Sequence, residues 1–221
     1  MDPVQLHGSA VVIAVSGLLL VVFLVAHLAG ASLALFNPSA FEAWAALLHR
    51  QIWLPPLEVA LALALLVHPL LALRRSVLHA AARGPLVGAA PVSRRQGGLE
   101  PLVARAGRLL PWSGAALLLF LAVHLGQLRL VRPEPGAELA SLQRALESPL
   151  ALALYVVAGL AVLLHLLHGT ESAHRSLGLL EPANRAAIRG GGRLLALLLG
   201  GGFALLPLAL AWRLSGPWAP L

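Results

Sequence analysis

The chain reads as an all-α, polytopic membrane protein with five transmembrane helices, and three observations carry that reading. Of its 221 residues, 59% are apolar and only 11% are charged, where a soluble domain carries roughly 25% charged residues; the mean hydropathy is +0.84. The apolar residues gather into five runs near the ~20 residues that a helix needs to cross a bilayer. Arginines collect in alternate connections between those runs, the asymmetry that orients membrane proteins.

The expected spans are 10–36, 54–73, 109–131, 150–169 and 194–214, within a single domain, 1–221. Asn37-Pro38 stops the first, because proline cannot continue a helix that precedes it. The second and fourth are expected to continue past the membrane surface, towards Ala82 and Leu179. Pro69 and Pro207 are expected to kink their helices, and Gly200-Gly201-Gly202 marks a close-packing surface on a fifth span that carries no histidine and buttresses the others. Two stretches between spans, 41–52 and 137–147, are amphipathic and suited to the interface. The Pro/Gly/Arg stretch 84–98 is too long for a simple connector and reads as a docking surface.

Charge sets direction and excludes several classes. The connection after the second span holds Arg74, Arg75, Arg83, Arg94, Arg95, Arg105 and Arg108, and that after the fourth holds Arg175, Arg185, Arg189 and Arg193. By the positive-inside rule these lie in the cytoplasm with the N-terminus, and the C-terminus lies outside. In a lipid-embedded chain the net charge of +7 therefore reports topology, and no nucleic-acid partner is expected. All sixteen basic residues are arginine, which fits a GC-rich bacterial genome and hence a bacterial inner membrane. There is no cysteine, so disulfides, iron–sulfur clusters and thiolate-bound haem are excluded within this chain. The N-terminal residues lack the basic region and cleavage site of a signal peptide, so the first span is expected to be retained.

Four histidines stand inside the spans: His27, His68, His124 and His165. The spacing from His27 to His68 recurs unchanged from His124 to His165. An ionisable side chain is costly there and marks a functional site by default. An offset of 97 superposes Ser16-Gly17, Phe23 and His27 on Ser113-Gly114, Phe120 and His124, and His68 on His165. The chain is thus expected to contain two copies of one helical hairpin, about 10–82 and 107–179, followed by the fifth helix. Internal repeats place sites at the repeat interface.

Depth divides the quartet. His27 and His124 fall about 24 Å from the inner start of their helices, while His68 and His165 lie close to the inner face. The two levels are on the order of 15 Å apart. One histidine from each copy at each level is the arrangement that holds two stacked haem b groups, each by two imidazoles. Such an iron has no open position and transfers electrons rather than activating oxygen.

Ser16 and Ser113 precede His27 and His124 by 11 residues, on the same helix face and about 16 Å deeper. There they orient His68 and His165 or contact the inner porphyrin; the alternative is a bond back to their own helix beside a packing glycine. His168, one turn beyond His165, is the competing ligand, although its counterpart in the first copy is Leu71. Arg75 lies about 10 Å inward of His68 on nearly the same face, suited to a haem propionate. Arg175 is placed to join it, and Arg129 or Arg132 to serve the outer haem. Glu58 stands at the outer mouth of the second span, at the level of a quinone headgroup. His7, His49, His79 and His174 read as interfacial.

With these residues in view, the chain resembles the five-helix, di-haem cytochrome b membrane anchor of bacterial succinate:quinone oxidoreductases and fumarate reductases. The residues that carry the likeness are Ser16-Gly17, Phe23, His27, His68, Trp112-Ser113-Gly114, Phe120, His124 and the segment from His165 and His168 to Gly178. The resemblance implies that His68 and His165 ligate a proximal haem near an iron–sulfur subunit, and His27 and His124 a distal haem. It implies a flavoprotein and an iron–sulfur protein on the inner face, with electrons passing between them and menaquinone or ubiquinone. The anchors of hydrogenases or formate dehydrogenases are the nearest alternative, though they tend to carry their ligands in pairs on fewer helices. A haem-free transporter with a histidine proton path is a third reading, weakened because Glu58 is the sole intramembrane carboxylate expected.

Overall fold

A computed structural model describes residues 3–83, 100–131 and 133–215; the stretch 84–98 and Arg132 lie outside the described residues. Five long helices dominate: α1 (Pro3–Phe36), α3 (Leu54–Arg83), α4 (Glu100–Leu125), α6 (Pro149–Ser176) and α7 (Arg185–Ser215). Each contains a stretch long and apolar enough to cross a membrane, from Gly8–Phe36 to Arg185–Arg213. Two short helices, α2 (Pro38–His49) and α5 (Glu138–Glu147), follow α1 and precede α6, and no strand occurs among the described residues. The chain is an all-α, multi-pass membrane protein.

Local chemistry explains the boundaries. Asn37 starts α2 by accepting from the Ala40 amide at 3.1 Å, with Pro38 in the first turn, where its missing N–H costs nothing. Ser148 and Pro149 repeat the device at α6. That helix ends where Gly178 adopts φ +71°, and the Leu179 amide returns to the His174 carbonyl at 2.9 Å, a Schellman closure that favours glycine. Pro69, Pro111 and Pro207 all lie inside continuous helices.

The fifth long helix departs from expectation. It begins at Arg185 rather than near 194, so Arg185, Arg189 and Arg193 are helical and the connection shrinks to 177–184. Glu171 of α6 is the reason: its carboxylate binds Arg175 one turn on and Arg189 of α7, at 2.7 and 2.9 Å. Glu171 is buried and falls within the apolar stretch of α6, so Glu58 is not the sole carboxylate in the spans. Two arginines meet the desolvation cost that an unpaired carboxylate would carry.

Helices α1 and α3 pack as one hairpin, and α4 and α6 as another. The hairpins join through α1 and α6, whereas α3 barely meets α4. The closest packing is between α6 and α7. A Cβ on Gly159 would strike the backbone at Ala204, and one on Gly200 would lie 2.6 Å from the Leu163 backbone nitrogen. Gly202 admits Leu28 of α1, while Gly201 faces open space. Small residues let helix backbones approach closely where lipid offers no hydrophobic drive for association. Two buried clusters result, one around Val162, Leu166, Ala196 and Leu199, the other around Ala34, Leu146, Tyr155 and Leu210. We call the end that carries the start of α1 the near end, and the end with α2 and α5 the far end.

At the far end a carboxyl pair ties the short helices together. Glu42 accepts from the Leu139 amide at 2.8 Å, so α2 caps the first turn of α5. Glu138 accepts from the Gly136 amide at 2.8 Å and lies 3.6 Å from His49. Burial, and then the hydrogen bond to Glu138, push the Glu42 carboxyl above its ordinary value. Burial alone would raise Glu138 too, but its bonds to Glu42 and Gly136 and the charge of His49 bring it below. Oε2 of Glu42 is buried and accepts no hydrogen bond from another group.

Two outcomes test this packing. Gly200→Val should destabilise the protein by about 1–3 kcal/mol through overpacking, whereas Gly201→Ala should change thermal stability in detergent little. Stability from protonated Glu42 is fully present below the ordinary carboxyl value of 4.5 and is lost as pH rises through its raised value. Stability from ionised Glu138 is lost instead as pH falls through its lowered value. Glu42→Gln keeps the acceptor for Leu139 and the donor for Glu138, so it should abolish the decline in melting temperature as pH rises through the raised Glu42 value while leaving the acid limb.

Candidate functional site: two facing histidine pairs

The four span histidines meet in twos. His27 of α1 faces His124 of α4 with ring centroids 5.9 Å apart. His68 of α3 faces His165 of α6 at 6.2 Å. His165 is thus the ring opposite His68, and His168 lies one turn further along α6. Ser16 touches His68 and precedes His27 by about three helical turns, so the two pairs are separated along the bundle by about 16 Å. The His27–His124 pair is nearer the far end.

Hydrogen bonds decide which ring nitrogen each histidine presents. Ser16 Oγ donates its single hydrogen to its own helix, 2.7 Å from the Val12 carbonyl. It must therefore accept from His68 Nδ1, 3.2 Å away. The same N–H also reaches the Ile13 carbonyl at 3.0 Å. Ser113 repeats the arrangement, donating to the Leu110 carbonyl at 2.9 Å and accepting from His165 Nδ1 at 3.2 Å. Each serine both bonds back to its helix and orients a histidine, so the two sequence alternatives coexist. In the near pair both protons sit on Nδ1, which leaves the Nε2 lone pairs for a ligand.

Glycine permits the approach. A Cβ on Gly17 would stand 3.0 Å from His68 Cε1, and one on Gly114 would stand 3.6 Å from His165 Cε1. At Ser16-Gly17 the dipeptide thus supplies an acceptor and the room to reach it, whereas a Cβ on Gly114 would make only ordinary contact with His165.

The far pair is built differently. Tyr155 of α6 donates to Gln127 Oε1 at 3.1 Å, so its oxygen accepts from His124 Nδ1 at 3.2 Å. His124 also stacks on Phe120 at 5.2 Å. His27 is held between aromatic faces instead, Phe23 at 5.2 Å and Phe203 at 5.9 Å. Phe203 belongs to α7, so the fifth long helix contributes to the site and does more than buttress it.

Immediately beyond His124, α4 widens into a π-helical turn, Gly126–Leu130, a distortion common at functional sites. It presents Gln127 to Tyr155 and Arg129 to α3, where Arg129 forms a two-pronged ion pair with Glu58 at 3.0 and 2.5 Å. Arg129 is therefore engaged by Glu58. Arg75 lies half-buried on α3 two turns beyond His68, while Arg175 is bound to Glu171. His49 and His174 lie outside both pairs, bonded to Glu138 and to the Thr170 carbonyl. No group of three or more histidine, cysteine or acidic side chains that could hold a metal occurs among the described residues.

Tyr155, Gln127 and Phe203 were not legible as site residues. Tyr155 is the chain's single tyrosine, and a buried tyrosine usually finds a polar partner, which is the one signal that marked it. Comparison with protein-family models, with curated proteins and with solved structures returned no match.

Proposed function

We propose that the chain is a di-haem cytochrome b, the membrane anchor of a succinate:quinone oxidoreductase or fumarate reductase. The observation that carries this reading is the pair of imidazole–imidazole separations, 5.9 and 6.2 Å. Two ring nitrogens each about 2 Å from one metal, with ring centres a little over an ångström behind them, require a centroid separation of about 6 Å. The donor set also fits. Neutral imidazoles with protonated Nδ1 offer Nε2, and a porphyrin supplies the four remaining ligands that two histidines lack. A bis-histidine haem, when bound, carries single electrons and has no open position for a substrate.

In this reading His68 and His165 hold the haem nearer the partner subunits, and His27 and His124 hold the distal one. Ser16 and Ser113 fix the first pair through Nδ1, and Tyr155 fixes His124. Phe23 and Phe203 stack on His27, and Phe120 on His124. Arg75, two turns beyond His68, is positioned for a propionate on the near side. The matching Ser–His contacts, both 3.2 Å and related by the repeat offset, support an internal two-hairpin repeat with each haem shared between its copies.

The near end carries the arginine-rich connections, so it faces the bacterial cytoplasm and the flavoprotein and iron–sulfur partners dock there. The far end, with Glu58 and Arg129, faces outward at the level where menaquinone or ubiquinone exchanges protons. The chain binds no succinate itself.

Membranes containing the protein should give low-spin b-type absorption bands with two haems per chain and two redox steps. His27→Ala and His124→Ala should each abolish the same component, and His68→Ala and His165→Ala the other; absence of haem would end the reading. Co-purification with succinate:quinone reductase activity should separate this anchor from those of hydrogenases or formate dehydrogenases. Ser16→Ala and Ser113→Ala should raise the midpoint potential of the near haem alone, measured by redox titration, because each removes an acceptor that strengthens its histidine as a donor.

A further inference from the structure

Under the repeat offset, Tyr155 occupies the position in α6 that Glu58 occupies in α3. The two residues do different things. Glu58 turns to Arg129, whereas Tyr155 bridges His124 and Gln127. His27 consequently meets Phe23, Phe203 and the His124 ring, while His124 has a directed hydrogen bond behind it. The tyrosine is fixed in place: it is 9% exposed and packs in the far-end core with Ala34, Leu146 and Leu210. Its ring meets Phe120 edge-on at 4.9 Å.

We propose that Tyr155, polarised by Gln127, is a positioning residue that makes His124 the stronger of two unequal donors at the far pair. The inference rests on the haem reading. The direction of the hydrogens carries it. Gln127 Oε1 takes the phenol hydrogen, which leaves the phenol oxygen able only to accept. That oxygen draws the Nδ1–H of His124 and raises electron density at Nε2. Hydrogen bonding behind a ligating histidine fixes the ring and increases its basicity. A more basic histidine would favour the oxidised, more positive iron of a haem held by this pair. Gln127 lies within the π-helical turn that starts immediately beyond Leu125.

The test is a redox titration with electron paramagnetic resonance on the purified holoprotein, comparing wild type with Tyr155→Phe and Gln127→Glu. Tyr155→Phe removes the acceptor and should shift the far haem positively, on the order of tenfold in its reduction equilibrium, or about 59 mV for one electron, leaving the near haem unchanged. Gln127→Glu gives the phenol a stronger acceptor and should shift the same haem negatively. A role in packing alone predicts no such opposition of sign. Equal shifts in both haems, or unchanged potentials in both variants, would overturn the proposal. Should Tyr155→Phe lose the far haem, Gln127→Glu decides: a negative shift confined to that haem upholds the proposal, and an unchanged potential overturns it. If the wild type binds no haem, the functional reading fails instead.

Discussion

A neutral imidazole in the apolar interior of a membrane has two nitrogens to satisfy and little water to satisfy them. The arrangement around the four span histidines follows from that constraint. Three of them place Nδ1–H against a protein acceptor: a serine hydroxyl with a main-chain carbonyl for His68, a serine for His165 and a phenol for His124. Tautomer and ring orientation at these three thus follow from one requirement, that a buried N–H find an acceptor.

Backbone proximity makes those bonds possible. Gly17 removes the side chain that would crowd His68 on its serine. Gly159 and Gly200 draw α6 and α7 together, and this brings Phe203 onto His27 while α6 presents Tyr155 to His124. Charge is handled in the same economical way. Glu171 is buried against Arg175 and Arg189 and extends α7 past its apolar limit, and Glu58 is neutralised by Arg129. Outside the spans, burial and the neighbouring Glu138 hold the Glu42 carboxyl above its ordinary value where α2 caps α5.

The two pairs differ in a way that bears on their proposed use. In the near pair a serine supports each histidine at the same 3.2 Å distance. The far pair has one hydrogen-bonded and one stacked histidine, because the residues at matching positions, Glu58 and Tyr155, are chemically different and choose different partners.

Sequence alone determined the helical class, the five spans, the histidine quartet and its division by depth. Each follows from hydropathy, length and the fixed rise of a helix per residue, which depend on the chain's own order. The spacing of Ser16 from His27, and of Ser113 from His124, also placed both serines at the level of the opposite pair, because helix geometry relates depth to residue number. Tertiary structure decided the rest. Which of His165 and His168 faces His68 depends on the rotation of α6 against α3, and spacing within one helix does not carry that angle. Tyr155, Gln127 and Phe203 enter through contacts between helices, Gln127 from within a π-helical turn. Arg189 reads in sequence as part of a connection, yet Glu171 on the preceding helix holds it within α7. Residues whose partner lies on another helix are set by packing, and packing is what a linear pattern leaves open.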